Sequence, residues 1–281
     1  MSRIDEAFQN KPIFMPYFPL GYPNLETSID VIETLAMNGA DLIEVGLSFS
    51  DPLADGPVIQ KATQAALENG ITVRKSLDAL TELRRRGVQI PLVLMGYYNP
   101  MLAYGLEKFV YDSQSAGADG FIIPDLPMEE AGEFEKVLNV GRVSGGFRYA
   151  TSATQPPHRD LPLVRMLAPT TSDERMEKIG REARGFIYLV SVTGVTGARQ
   201  SIAEGLAGLI GRVREHTSAP VCVGFGIGTP EQAREVGALA DGVIVGSACV
   251  RAIGESANPV EAAREFAQSF RGALRERKAE A

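Results

Sequence analysis

Eight short apolar runs, separated by longer amphipathic stretches, limit the folds open to this chain more than any other feature of its sequence. Most of the runs are nearly continuous in apolar residues, which is typical of parallel strands covered on both faces. The runs are Ile13–Phe18, Asp41–Leu47, Pro91–Tyr98, Gly120–Leu126, Leu163–Ala168, Gly185–Val192, Pro220–Ile227 and Gly242–Cys249. Amphipathic helices are predicted between them, for example at Leu25–Met37, Val73–Arg86 and Glu204–His216.

The number and spacing of these units favour a barrel. Eight βα units in one chain form either a closed barrel or a large doubly wound sheet. Their equal spacing and the lack of a break in composition favour the first, and 281 residues suit a single α/β barrel. We therefore predict an α/β protein with a single (β/α)8 TIM-barrel domain over residues 1–281.

One segment breaks this rhythm. Residues 139–163 are rich in Gly, Ser, Thr and Pro and have weak hydrophobic periodicity. This composition is typical of irregular structure, so we expect an extended loop or insertion there.

Glycine and aspartate mark the starts of several predicted strands. Asn38-Gly39-Ala40-Asp41, Ala116-Gly117-Ala118-Asp119 and residues 237–241 each join a helical stretch to a strand, and glycine suits the C-cap of a helix. The run Arg84-Arg85-Arg86 ends another predicted helix. We interpret it as a solvated face at a helix C-terminus, where positive charge is favoured by the helix dipole.

Composition excludes several classes of function. The formal net charge is −7, which argues against nucleic acid as a partner. The chain has two histidines and two cysteines, so we expect no metal site, no histidine-based triad and two buried, reduced thiols. There is no apolar signal segment at the N-terminus and no apolar stretch of ~18 residues. We therefore expect a cytoplasmic protein that does not enter a membrane.

The second predicted strand carries the first candidate for chemistry. Because side chains alternate, Leu42, Glu44 and Gly46 share one face, while Ile43, Val45 and Leu47 share the other. The bulky apolar set should meet the outer helices, which places Glu44 inside the barrel. A buried carboxyl is costly unless it is paired or protonated. It is therefore either a salt-bridged core acid or a catalytic acid whose pKa is raised by burial.

The loop after this strand supplies a second carboxyl. Active sites of such barrels lie at the C-terminal ends of the strands. Asp55 follows the strand in the run Phe49 to Pro57, where it is either a turn residue or a carboxylate above the same cavity as Glu44. Two carboxyls in different environments can divide the roles of acid and base.

Glycine-rich segments follow the sixth, seventh and eighth strands. They are Gly194-Val195-Thr196-Gly197, Gly224-Phe225-Gly226-Ile227-Gly228 and Gly246-Ser247. Loops at these positions form the phosphate site of many barrels, because small residues let backbone N–H groups approach an anion. The glycines could also serve tight turns alone. The residues thus indicate a barrel that binds a phosphorylated small molecule and acts on it with carboxyls, without naming the substrate.

The sequence around both carboxyls closely resembles the signature of the tryptophan synthase α subunit. The resemblance begins with the run from Glu44 to Gln60 and continues in order over most of the chain. Further matching segments are Leu20–Pro23, Tyr97–Pro100, Pro124–Pro127, Leu167–Thr171, Tyr188–Ser191, Gly194–Gly197, Gly224–Gly226 and Gly246-Ser247.

The resemblance implies a lyase that cleaves indole-3-glycerol phosphate to indole and glyceraldehyde 3-phosphate in tryptophan biosynthesis. It implies no cofactor in this chain, and a pyridoxal-phosphate β subunit as partner in an α2β2 complex. Glu44 would be the general acid and base, and Asp55 would bind the indole N–H. Tyr17, Ile59, Ile122 and Tyr188 would line the indole pocket, with Thr196 on a mobile loop that closes over it. The residues expected at the phosphate are Gly197, Gly226, Gly246 and Ser247.

The chain departs from the family pattern at three places. Ser48 stands where proline is usual and Pro19 where threonine is usual. The segment between Glu135 and Leu167 is longer than the family pattern and should replace the helix and entry that lead to strand five. Two alternatives therefore stand beside the lyase. One is a different phosphate-binding barrel enzyme, such as an isomerase or synthase of the histidine or tryptophan pathway. The other is a catalytically weak subunit that mainly activates a β subunit.

Overall fold

A computed structural model describes residues 1–143, 161–190, 199–224 and 226–280 of the chain. Within these ranges, eight parallel strands alternate with helices and form the predicted (β/α)8 TIM barrel. The strands are β1 (Ile13–Pro19), β2 (Ile43–Gly46), β3 (Leu92–Met95), β4 (Gly120–Ile122), β5 (Arg165–Leu167), β6 (Ile187–Val190), β7 (Val221–Gly224) and β8 (Gly242–Val245).

The strands follow one another around a ring. Their hydrogen-bonded order is β4-β3-β2-β1-β8-β7-β6-β5, and each neighbouring pair is parallel. Between β4 and β5 the ring is joined by a parallel bridge from Phe121 to Leu163. There, Phe121 N donates to Pro162 O at 2.9 Å, and Val164 N donates to Phe121 O at 2.8 Å.

The helices surround the strands, and several begin at the polar caps that the sequence provides. Asn24 accepts a hydrogen bond from Thr27 N at 2.9 Å and starts α2, while Thr72 caps α4 through Lys75 N at 3.2 Å. The helices are α1 (Arg3–Ala7), α2 (Leu25–Met37), α3 (Pro57–Glu68), α4 (Val73–Arg85), α5 (Tyr98–Tyr104), α6 (Leu106–Ala116), α7 (Gly132–Val143), α8 (Asp173–Glu182), α9 (Arg199–His216), α10 (Pro230–Gly237), α11 (Ser247–Gly254) and α12 (Pro259–Glu280).

Two hydrophobic layers result from the alternation of side chains along the strands. Ile43, Val45 and Leu47 pack outward against the helices, as predicted, in the larger apolar cluster. The inward-facing side chains fill the barrel, and Ile4 and Phe8 of the N-terminal segment pack into the same inner cluster. The other inner residues are Ile13, Met15, Leu42, Val93, Ile122, Val164, Phe186, Tyr188, Cys222 and Ile244. Both cysteines are buried free thiols, as predicted.

Three aspartates, one immediately before β4, one before β8 and one two residues before β2, tie neighbouring strands together. We call Asp41, Asp119 and Asp241 the strand-start aspartates. Each donates its backbone N–H at 2.9 Å to the first part of the preceding strand in the ring. Each carboxylate also accepts a backbone N–H from that same strand, at 2.8 to 2.9 Å. An arginine from a surrounding helix completes each set, so that strand, neighbouring strand and helix are joined at one carboxylate.

The arginine run at the end of α4 corrects one prediction. Arg85 is exposed, but Arg84 has only 13% of its side chain exposed and pairs with Asp119. Arg84 also donates to the carbonyl oxygens of Gly117 and Val88. The interpretation of the whole run as a solvated face is therefore wrong, because Arg84 is largely buried in an ion pair with Asp119.

The segment 139–163 also differs from its prediction. Residues 139–143 are the last turn of α7, so the helix before strand five is present rather than replaced. Residues 161–163 lead directly into β5, and Leu161 and Leu163 are buried. Residues 144–160, the centre of the predicted insertion, lie outside the described ranges.

Several predicted strands are too long at their C-terminal ends. Tyr98, placed in the third strand by its apolar neighbours, begins α5, and Ser247 begins α11 rather than ending the eighth strand. The apolar run continues across the junction because the following helix is also buried on one face. Within the described ranges, no helix is both long enough and apolar enough to cross a membrane.

The strand-start aspartates generate a prediction for stability. Asp119→Asn should lower the free energy of unfolding by about 3 kcal/mol, because the buried Arg84 guanidinium loses its charge partner. Asp78→Asn is the matched control, since Asp78 pairs with Arg74 while 60% of its side chain is exposed. Urea denaturation of both variants measures the difference. Equal, small losses in the two variants would contradict a structural role for Asp119.

Candidate active site

A cavity of about 340 Å³ opens at the C-terminal ends of the strands. Its walls come from strands β1, β2, β3, β6 and β8, from the loops after β2 and β7, and from helices α3 and α11. The lining residues are Tyr17, Glu44, Ala54, Asp55, Gly56, Ile59, Met95, Tyr188, Gly226, Ile227, Gly228, Ile244, Gly246, Ser247, Ala248 and Arg251. This is the end of the barrel at which enzymes of this fold place their active sites.

Glu44 lies on β2 and faces the cavity from the barrel interior. Its side chain is almost fully buried, with 1% of the residue exposed, and its Oε1 atom has no hydrogen-bond partner among the described residues. Among the described residues no arginine or lysine pairs with Glu44, so the salt bridge expected of a structural core acid is not found there. Burial raises the pKa of Glu44 to about 8, and the nearby charge of Asp55 adds to the shift. The carboxyl is therefore neutral at pH 7.

Asp55 lies in the loop between β2 and α3, over the same cavity. Burial raises the pKa of this carboxyl to about 6, while a hydrogen bond from Tyr97 acts in the opposite direction. The Tyr97 hydroxyl also accepts a hydrogen bond from Ala54 N at 2.9 Å, so it holds the backbone beside Asp55. Asp55 is thus mostly ionised at pH 7 while Glu44 is protonated. The two carboxyls have the divided states that acid and base chemistry needs.

Two tyrosine rings each pack over a glycine on the strand next to their own: Tyr17 over Gly46 and Tyr188 over Gly224. A methyl group on Gly46 would lie 2.7 Å from Tyr17 Cζ, and one on Gly224 would lie 2.8 Å from Tyr188 Cζ. Each ring therefore occupies space that only glycine leaves free. The Tyr17 hydroxyl is hydrogen-bonded to Thr63 of α3, and burial raises the pKa of both tyrosines well above the ordinary value. Both rings are held as neutral phenols around Glu44.

The opposite wall is rich in glycine and contains a helix N-terminus. Gly226 has a φ of +81°, a conformation that favours glycine, and lies in the loop after β7. Gly246 precedes α11, whose first turn receives no hydrogen bond from a capping side chain. Ser247 and Ala248 of that turn line the cavity. Uncapped N–H groups and the positive end of the helix dipole make this wall suited to an anion.

Of the other predicted site residues, one lines the cavity, one is buried in the inner cluster, and two lie outside the described ranges. Ile59 of α3 lines the cavity as expected. Ile122 is fully buried in the inner cluster and is absent from the cavity wall, where its register neighbour on β3, Met95, is present. Thr196 and Gly197 lie outside the described residues.

Sequence reasoning missed three contributors to the site. Tyr97, which bonds to Asp55, lies in a segment that was recognised only for its resemblance. Met95 and Arg251 also line the cavity, and only their positions in the sequence could have indicated this. Met95 ends β3, and Arg251 lies one helical turn after Ser247. No group of three or more His, Cys, Asp or Glu side chains is placed to hold a metal ion within the described ranges.

Comparison with known proteins agrees with this geometry. The family model of the tryptophan synthase alpha chain matches residues 5–278. The chain belongs to the tryptophan synthase alpha chain family. It is 46% identical to the alpha chain of Chloroflexus aggregans over 89% of each chain, and 45% identical to that of Roseiflexus sp. over 97% of this chain and 100% of the relative. It is a lyase subunit of tryptophan biosynthesis, and the reaction is the cleavage of indole-3-glycerol phosphate.

Solved structures of tryptophan synthase have the same fold. The alpha subunit from Legionella pneumophila superimposes with a TM-score of 0.84 at 34% identity, over 98% of this chain and 99% of that one. A tryptophan synthase structure from M. tuberculosis superimposes with a TM-score of 0.82 at 33% identity, over 98% of this chain and 99% of that one. The family assignment decides against a different phosphate-binding barrel. Of the departures from the pattern, Ser48 buries its hydroxyl without a hydrogen-bond partner among the described residues, and Pro19 is the last residue of β1.

The packing of Tyr17 over Gly46 is testable. Gly46→Ala should lower the free energy of unfolding by about 1 to 3 kcal/mol, because the new methyl group overlaps the Tyr17 ring. In a Tyr17→Val background the same substitution should cost much less. Urea denaturation of the four proteins gives the coupling energy, and Gly208→Ala, where a methyl group meets nothing within 4 Å, is the control. Equal costs in both backgrounds would contradict the contact.

Proposed function

We propose that this chain cleaves indole-3-glycerol phosphate with Glu44 as the general acid and base and Asp55 as the stabilising carboxylate. The observation that carries this assignment is the difference between two carboxyls on one cavity. Glu44 has a pKa of about 8, while that of Asp55 is about 6. Between pH 6 and pH 8, Glu44 is protonated and can donate a proton, while Asp55 is ionised and can stabilise a positive charge.

The chemistry uses both states in turn. Glu44 donates its proton to the indole ring carbon that bears the glycerol side chain, and positive charge develops toward the ring nitrogen. Asp55 accepts a hydrogen bond from the indole N–H and offsets that charge. Glu44, now a carboxylate, takes the proton of the hydroxyl on the adjacent side-chain carbon. The bond between ring and side chain then breaks, its electron pair returns to the ring, and indole and glyceraldehyde 3-phosphate are formed.

The walls of the cavity suit the two ends of this substrate. We assign the apolar surface for the indole to Tyr17, Ile59, Ile122 and Tyr188. Three of them line the cavity, and Ile122 is buried in the inner cluster that also contains Tyr188. On the other wall, the backbone N–H groups of Gly226, Gly246 and Ser247 can approach an anion closely, which supports a phosphate site there. Thr196 belongs to the proposed mobile loop over the site. The proposed phosphate residues are Gly197, Gly226, Gly246 and Ser247.

The proposal also covers the partner and the setting. The chain would work beside a tryptophan synthase β subunit in an α2β2 complex, with pyridoxal phosphate held by the β subunit. Its own residues supply acid, base and anion site, so the proposed reaction needs no cofactor here. We place the reaction in the cytoplasm, where phosphorylated biosynthetic intermediates are made and used. We propose one domain for residues 1–281.

Replacement of Glu44 tests the assigned acid. Glu44→Gln should fold and bind substrate but lose about 10² to 10⁴-fold in turnover, the usual contribution of a general acid or base. Indole release from indole-3-glycerol phosphate measures it, with and without a β subunit. Glu26→Gln, an exposed change on α2, is the control.

Three outcomes separate the hypotheses. Turnover that survives in Glu44→Gln rejects the assigned acid. A rise in wild-type indole release on adding the β subunit supports the partnership. A folded wild type that releases no indole, yet accelerates the β subunit, supports the activator alternative instead of the lyase.

The two pKa values generate a pH prediction. The ratio kcat/KM should rise through about pH 6 as Asp55 ionises and fall through about pH 8 as Glu44 loses its proton. Tyr97→Phe removes a hydrogen bond that lowers the pKa of Asp55, so only the acid limb should move to higher pH. Tyr98→Phe is a matched control, because the Tyr98 hydroxyl is buried without a partner among the described residues. An acid limb that stays in place in Tyr97→Phe contradicts the role given to Tyr97.

A further inference from the structure

We propose that Arg251 binds the phosphate of the substrate and makes the site selective for a dianionic ligand; this inference rests on the proposed function. Among the described residues that line the cavity, Arg251 is the only one with a positive charge. The same cavity contains the carboxyls of Glu44 and Asp55. A phosphate monoester carries a charge of about −1.5 to −2 at pH 7. The ionised Asp55 in the same cavity repels it, so a positive charge is needed to offset that repulsion.

The position of Arg251 directs its side chain to the anion wall. It lies on α11 four residues after Ser247, and residues at that spacing share one face of a helix. Side chains of a helix lean toward its N-terminus, which here is the uncapped first turn beside Gly246. Arg251 lines the same cavity as Ser247 and Ala248, on the face of α11 that contains Ser247.

Arg251 also differs from the structural arginines of this barrel. Arg84, Arg165 and Arg271 are nearly buried, and each forms an ion pair with an acidic residue. Arg251 is exposed at the cavity and forms no ion pair with a described carboxylate. Its charge is thus available to a ligand.

Backbone groups alone give this anion only partial charges. A helix N-terminus contributes roughly +0.5 of an elementary charge. An arginine adds a full charge and a fork of N–H donors that matches two phosphate oxygens at once. Arg251 therefore offsets the repulsion between the phosphate and Asp55, which the glycine loops do only in part.

Three variants test the role. Arg251→Gln removes the charge, Arg251→Lys keeps it without the fork, and Arg234→Gln removes an exposed charge from α10, away from the cavity. In Arg251→Gln the KM for indole-3-glycerol phosphate should rise about tenfold, the lower range for a hydrogen bond to a charged group, with kcat within about twofold of wild type. Arg251→Lys should lie between, and Arg234→Gln should match wild type.

Two binding measurements make the test independent of turnover. Calorimetric titration with inorganic phosphate should show weaker binding to Arg251→Gln by a similar factor. Titration with indole, which has no phosphate, should show unchanged binding. If the wild type releases no indole from its substrate, the proposed function fails, and the phosphate titration still decides the role of Arg251.

The proposal is overturned by any of three results. Unchanged KM and unchanged phosphate binding in Arg251→Gln show that the side chain does not meet the anion. An equal loss of indole and phosphate binding shows that it supports the cavity as a whole. An equal effect of Arg234→Gln shows that net charge, rather than position, sets the affinity.

Discussion

The strand-start aspartates are the interaction on which the rest of this barrel depends. Each of Asp41, Asp119 and Asp241 binds a backbone N–H of the neighbouring strand and an arginine of the outer layer. They fix strand register and helix position at the N-terminal end. Because that end is held by paired charges, the opposite end can leave Glu44 without a charge partner, at a cost that the remaining structure offsets. Stability and chemistry are thus divided between the two ends of the barrel.

The fold and the centre of the site were both predictable from sequence. The continuous apolar runs predicted the strands, and the alternation along β2 placed Glu44 inside and Ile43 outside, as the structure has them. Periodicity could not find where strands end, because Tyr98 and Ser247 continue an apolar run into a helix that is itself half buried. Nor could it find partners distant in sequence, such as Arg84 with Asp119 or Tyr97 with Asp55, which only the closed ring brings together.

The shape of the cavity wall depends on two glycines whose lack of a side chain leaves room for two tyrosine rings. Gly46 ends β2 and Gly224 ends β7, the strands next to those of Tyr17 and Tyr188, and the two tyrosine rings occupy the space above the glycines. Family resemblance named the tyrosines, but the role of the two glycines emerged only from the packing. It likewise assigned Ile122 to the indole pocket, which stays a prediction; the structure buries Ile122 in the same inner cluster as Tyr188, with its register neighbour Met95 at the cavity wall. Contacts of this kind depend on how strands tilt, which local patterns do not specify.

The neutral state of Glu44 also links folding to the acidity of the medium. An unfolded chain exposes this carboxyl to water, where it has an ordinary pKa of 4.5, while the folded chain raises that value to about 8. At pH 7 the folding reaction therefore takes up a proton from the buffer, and the stabilisation from this group is largest in acid and lost as the pH rises toward 8. The residue that we propose as the proton donor to the substrate thus itself takes up a proton when the barrel folds.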